Sequence, residues 1–154
     1  GLILTEDGPK VLEFNCRLGD PETQVILPRL KTDLLDAMMG SARGDLEDST
    51  VEWDSTVSVG VVMASGGYPG PHTTGYPVYG LDEVDEDAIV FHAGSRLTSM
   101  AIDDELQVST DGGRVLTVAA LGNTLGEARR KAYANVERIK FKDAVYRRDI
   151  ATTD

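Results

Sequence analysis

The spacing of apolar residues divides the chain into stretches of different period. Leu2-Ile3-Leu4-Thr5 and Lys10-Val11-Leu12-Glu13-Phe14-Asn15 read as two strands of a hairpin that turns around Asp7-Gly8-Pro9. A helix is predicted to start near Pro21 and to run through Val25, Ile26 and Leu27 until Pro28, which has no amide to donate, interrupts it. A second helix is predicted over about Asp33 to Ala42, capped by Thr32 or Asp33 and carrying Leu34, Leu35, Met38 and Met39, the methionines filling a core. Gly44 and the acidic run Asp45-Leu46-Glu47-Asp48 then mark a surface junction.

Beyond Val51 the period becomes that of strands. From Thr56 to Ala64, Val57, Val59, Val61 and Met63 share one face, and Trp53 just ahead of them is placed to seal a core edge. The glycine- and proline-rich stretch from Ser65 to Gly80, with Tyr68, His72, Tyr76 and Tyr79 spread through it, reads either as a cleft lining or as a rigid surface crossing. Further strands are predicted near Ala88 to His92, Glu105 to Thr110 and Arg114 to Leu121, with Asp111-Gly112-Gly113 as a turn. The last helix opens on the capping box Thr124-x-x-Glu127 and repeats Leu125, Ala128, Ala132, Val136 and Ile139 at spacings of three and four. Val145-Tyr146 and Ile150 read as a closing strand with Arg147, Arg148 and Asp149 at its rim. The predicted class is α+β: a first portion over residues 1–48, then a small, mostly antiparallel sheet and helix unit over 49–154.

Charge narrows the range of partners. A formal charge of -11, from 26 acidic against 15 basic residues, repels nucleic acid and anionic membrane, and no basic patch with interleaved aromatics offsets it. An anion site on such a chain has to be made locally attractive by metal, arginine or helix amino termini. No membrane span or secretory segment is visible, so the expected location is cytoplasmic. Cys16 has no second cysteine to pair with and is expected as a buried thiol on the core side of its strand. His72 and His92 lack partners at zinc-ligand spacing, and His92 is read as a packing or hydrogen-bonding residue.

The candidate chemistry is concentrated in Glu13-Phe14-Asn15-Cys16-Arg17-Leu18-Gly19-Asp20-Pro21-Glu22. A strand would put Glu13, Asn15 and Arg17 on one face, with alternate side chains roughly 6 to 7 Å apart. Oxygen ligands from Glu13 and Asn15 suit a hard cation such as Mg²⁺ or Mn²⁺, with the remaining charge supplied by phosphate oxygens or another carboxylate. Arg17 can grip a planar anion in a bidentate manner, so the pattern suits phosphoryl transfer or the holding of an acyl phosphate. The same residues also fit an ordinary charged strand edge facing water. Gly19 permits an unusual turn, Pro21 suits a first helical turn, Asp20 can cap that helix and Glu22 lies just inside it.

These residues resemble the phosphoribosylamine-glycine ligase (glycinamide ribonucleotide synthetase) family of the ATP-grasp superfamily. The resemblance is carried by Gly8-Pro9-Lys10-Val11-Leu12-Glu13-Phe14-Asn15-Cys16-Arg17, Gly19-Asp20-Pro21-Glu22-Thr23-Gln24, Leu27-Pro28-Arg29-Leu30, Ala64-Ser65-Gly66-Gly67-Tyr68-Pro69-Gly70, Phe91-His92-Ala93-Gly94, Gly112-Gly113-Arg114-Val115-Leu116 and Tyr146-Arg147-Arg148-Asp149-Ile150. It implies an ATP-dependent joining of glycine to 5-phosphoribosylamine through a glycyl phosphate, giving glycinamide ribonucleotide, ADP and phosphate in purine synthesis. By the same resemblance Glu13 and Asn15 match metal ligands, and Arg17 and Asp20 match positions near glycine and the transferred phosphate. Glu22, Gly113 and Arg114 are further substrate-binding candidates. The chain departs from the family at Leu18, where phenylalanine is common, and at Ala151-Thr152-Thr153-Asp154.

The resemblance also implies that the chain is the carboxy-terminal part of a longer enzyme, comprising the end of an ATP-grasp core and the domain that follows it. It contains no glycine-rich phosphate loop and no adenine-seating segment. The expectation is an inactive fragment with some active-site groups and a tendency to self-associate; a noncatalytic scaffold that keeps the fold is the alternative.

Overall fold

The computed structural model describes residues 1–45, 50–99 and 106–152. The chain opens with strands β1 (Leu2–Thr5) and β2 (Gly8–Val11), followed by the short helix α1 (Thr23–Ile26), a 3-10 turn at Leu27–Arg29 and helix α2 (Leu34–Arg43). Strands β3 (Val57–Ala64), β4 (Ala88–His92), β5 (Ser95–Ser99), β6 (Leu106–Thr110) and β7 (Arg114–Gly122) come next, and helix α3 (Leu125–Val136) closes the set. All strand pairs are antiparallel, in sheets ordered β1-β2, β3-β7-β4 and β5-β6. This is the α+β arrangement that the patterning predicts.

The core is built on β7, the middle strand of its sheet. Residues Val115 to Ala120 are buried without a break, as a strand covered on both faces requires. Val59, Val61 and Met63 of β3 form one apolar cluster with Ala128, Ala132 and Val136 of α3, so the alternation read in β3 does face the core. Gly60 lies between them in sequence and faces the other side of the sheet. A Cβ there would sit 2.6 Å from Val25 Cγ1, so the missing side chain is what lets α1 rest on that second face. Asn135, fully buried on α3, ties the helix to the loop before β4: its Oδ1 accepts from the Asp85 amide at 2.8 Å, and its Nδ2 donates to Asp85 Oδ2 at 3.2 Å and to the Lys131 carbonyl at 3.0 Å.

Both long helices start where the sequence indicates. Asp33 Oδ1 accepts from the Leu35 amide at 2.8 Å, and Thr124 Oγ1 accepts from the Glu127 amide at 3.1 Å. Glu127 returns the favour to the Asn123 amide at 2.9 Å, one residue earlier than the standard box, and stands 3.6 Å from Lys131 Nζ.

Several expectations are corrected. The second strand stops at Val11, and Leu12 to Arg17 continue as irregular chain. Leu12, Phe14 and Cys16 are exposed instead of facing a core, because the strand that would have aligned them on one face has already ended. Leu35, Met38 and Met39 are likewise exposed on α2, whose described residues include none that is buried. The helix expected from Pro21 begins at Thr23 and lasts one turn; Asp20 does not cap it, and the Asp20–Pro21 bond is cis. Trp53 is half-exposed and lines an open groove of about 650 Å³ with Val25, Ile26 and Arg29, where a sealed core edge was expected. The expected closing strand reduces to one bridge between Ala64 and Val145. β5 was not anticipated, and it gives β6 its partner. Asp111-Gly112-Gly113 therefore connects strands of two separate sheets, not of one hairpin. Most of the acidic run, the Glu105 end of the predicted β6 and the last two residues lie outside the described residues.

Candidate functional site

Glu13 and Asn15 follow directly on β2 and reach the same place despite the loss of strand geometry. Asn15 Nδ2 donates to Glu13 Oε1 at 3.1 Å, and both side chains are exposed. A carboxylate and an amide at this separation offer an all-oxygen donor set once the amide turns its Oδ1 outward, and such a set suits a hard cation. It is too sparse to enclose one: among the described residues no group of three or more His, Cys, Asp or Glu side chains could hold a metal. The pair therefore fits an ion that takes most of its ligands from water or from phosphate oxygens. Arg17 is exposed nearby in sequence, and its Nη1 donates to the Leu18 carbonyl at 2.7 Å.

Asp20 is held far more firmly. Its Oδ1 accepts from Gln24 Nε2 at 2.7 Å, one helical turn on. Its Oδ2 stands 3.1 Å from Arg114 Nη2, and Arg114 Nη1 donates to the Asp20 carbonyl at 2.7 Å. The guanidinium fork thus spans one residue's side chain and main chain, and it crosses from β7 to the segment ahead of α1. Glu22 lies within the same turn; a Cβ on Gly19 would meet Glu22 Oε2 at 2.4 Å, so Gly19 leaves room for that carboxylate.

Gly113 leaves room for two rings. A Cβ there would lie 2.3 Å from Tyr68 Cδ2 and 3.2 Å from His72 Cε1, so the glycine admits the Tyr68 ring to the base of Arg114. Tyr68 and His72 meet edge to face with ring centroids 6.3 Å apart. Beside Arg114 opens a mostly apolar depression of about 390 Å³ lined by Val62, Tyr68, Val145, Tyr146 and Arg147. Arg147 is itself paired with Asp149 at 2.5 Å. His92 Nδ1 lies 2.8 Å from Ser95 Oγ, in keeping with a hydrogen-bonding role.

The structure therefore brings together two groups: Glu13 with Asn15, and Asp20 with Arg114, near Glu22 and Gly113. Two residues in the second group had no role from sequence. Gln24 carried a usable signal, since a carboxylate and a carboxamide four residues apart can meet across one turn. Tyr68 carried none, because its contact with Gly113 spans two distant loops.

An α+β unit with an antiparallel sheet, one packed helix and a charged segment laid on the opposite face is the class these features define. Residues 58–153 match the family model described as Phosphoribosylglycinamide synthetase, C domain, and the chain belongs to that family. It is 52% identical over 153 residues to a protein named Phosphoribosylamine--glycine ligase from Escherichia coli O157:H7, covering 97% of this chain and 34% of the relative. A protein of the same name from Halalkalibacterium halodurans is 44% identical over 152 residues, covering 99% of this chain and 34% of the relative. A crystal structure of Phosphoribosylamine--glycine ligase from Thermotoga maritima superposes with a TM-score of 0.77 at 37% identity, covering 97% of this chain and 35% of that one. The chain thus spans about a third of the length of the relatives it matches. No described helix is long and apolar enough to cross a membrane.

Proposed function

We propose that this chain supplies the carboxy-terminal third of a cytoplasmic ATP-dependent ligase that joins glycine to 5-phosphoribosylamine in purine synthesis. The observation that carries the reading is the meeting of Asp20 and Arg114 from segments 94 residues apart, in a chain whose relatives bear that ligase name along its whole length. Residues 1–48 belong to the end of an ATP-grasp core and residues 49–154 to the following domain. Cut off from the nucleotide-seating part, the fragment has no ligase activity of its own.

In this reading ATP, glycine and phosphoribosylamine are the substrates, and Glu13 with Asn15 would hold Mg²⁺ or Mn²⁺, which would supply charge neutralisation for phosphoryl transfer. Arg17, exposed two residues after Asn15, binds the negative charge that develops as glycine carboxylate takes the phosphoryl group. Asp20, held by Arg114 and Gln24, lies beside glycine and the transferred phosphate and helps to orient them, and Glu22 is a further substrate contact. The energy of ATP is kept in the glycyl phosphate, whose phosphate departs as the carbon-nitrogen bond forms.

The test is Mn²⁺ binding by electron paramagnetic resonance in the full-length ligase, with ATP present. Glu13→Ala and Asn15→Ala are expected to weaken binding about 10- to 100-fold. Unchanged binding in both variants would remove the metal assignment and favour a noncatalytic scaffold.

A further inference from the structure

Arg114 is available in the sequence as a cation for a substrate phosphate or carboxylate. Its geometry argues for another use. Both terminal nitrogens are already engaged, Nη1 by the Asp20 carbonyl at 2.7 Å and Nη2 by Asp20 Oδ2 at 3.1 Å. Gln24 Nε2 takes the other carboxylate oxygen at 2.7 Å. Asp20 thus has each carboxylate oxygen matched to a different donor, and its main chain is anchored as well. The two donors come from different directions, one from α1 and one from β7.

We propose that Arg114 and Gln24 are positioning residues that clamp Asp20. The inference rests on the proposed role of Asp20. It assigns a job to Gln24 and changes that of Arg114. The clamp ties the segment carrying the candidate chemistry to the best-packed strand of the molecule, so the rigidity of β7 is passed to a carboxylate that has no core of its own. Gln24 fits only with its amide nitrogen toward Asp20, because an acceptor cannot face a carboxylate. Tyr68 packs where a Gly113 side chain would be and lines the same depression as Arg114.

The test is a double-mutant cycle in the full-length ligase, reading kcat, KM for phosphoribosylamine and the thermal midpoint. Arg114→Ala is expected to lower kcat about 100-fold while KM changes little, as a displaced catalytic group does. In an Asp20→Ala background the same substitution is expected to add less than about twofold, because the group it positions is gone. Added guanidinium ion restores part of the Arg114→Ala activity and none of the double variant's. Gln24→Leu follows the same pattern with a smaller loss, and provides the cycle if Arg114→Ala does not fold. Losses that multiply, or a large rise in KM with kcat preserved, would show direct substrate contact and overturn the inference. If Asp20→Ala alone leaves turnover intact, the proposed role of Asp20 fails instead, and the clamp loses its purpose with it.

Discussion

The sheet and helix body over residues 57–152 and the arm over residues 1–22 are built on opposite terms. In the body, Val61, Leu116, Val118, Ala132 and Val136 are completely enclosed. In the arm, Leu4 and Phe14 are 84% and 88% exposed, and all four residues of β1 lie open to solvent. The arm nevertheless carries Glu13, Asn15, Arg17, Asp20 and Glu22, while the buried polar residues of the body, Ser65, Ser109, Thr110, Thr117 and Asn135, are uncharged. Stability and candidate chemistry are therefore separated along the chain. They are joined where Arg114 of the body grips Asp20 of the arm.

Substitutions can test that division directly. Leu116→Ala removes a large, fully buried side chain from the central strand and is expected to cost about 2 to 5 kcal/mol by denaturant unfolding of this chain. Asn135→Leu strips the Asp85 amide of its acceptor and should cost about 1 to 3 kcal/mol by the same measurement. A near-neutral result would place the network outside the stabilising body.

Acid should act on the body as well. The Asp85 carboxyl is held below the usual range first by its hydrogen bond from Arg138, and Asp149 likewise by Arg147. Glu127 is lowered first by the Asn123 amide. A carboxylate with a depressed folded pKa contributes stability above its unfolded pKa and loses it as pH falls through the folded one. The thermal midpoint of this chain is therefore expected to decline as pH falls below about 4, and Asp85→Asn should make that decline shallower. An unchanged slope would detach Asp85 from the stability of the fold. The smallest effect is expected in the arm, where Phe14→Ala changes the unfolding free energy of this chain by less than about 0.5 kcal/mol. A loss comparable to that of Leu116→Ala would erase the contrast between the two regions.

The same contrast explains what could be read from the sequence. Period-two alternation in β3, the strand expected near Arg114 to Leu121 and the capping box of α3 were legible, because in the body the partner that buries each face is within the chain. The rule failed at Leu12, Phe14, Cys16, Met38 and Met39. Their apolar character correctly signals a surface that wants covering, but periodicity does not say whether the cover lies in the same chain. β5 escaped because Ser95-Arg96-Leu97-Thr98-Ser99 is a mostly polar, largely exposed strand held by its pairing with β6.

At the site, the closeness of Glu13 and Asn15 was legible from a spacing of two. The grip of Arg114 on Asp20 was not, since it depends on how α1 is laid across the sheet. That placement turns on Gly60, which in sequence is only a gap in a valine run.

The central claim is that the arm does chemistry and the body holds the fold. Ligation of glycine to phosphoribosylamine, measured in the full-length ligase beside a thermal melt of the same samples, tests it in Glu13→Gln and Asp20→Asn. The account predicts that turnover falls about 100-fold or more while the melting midpoint stays close to that of the unsubstituted enzyme. Undiminished turnover, or a loss of turnover that simply follows a loss of folded protein, would contradict it.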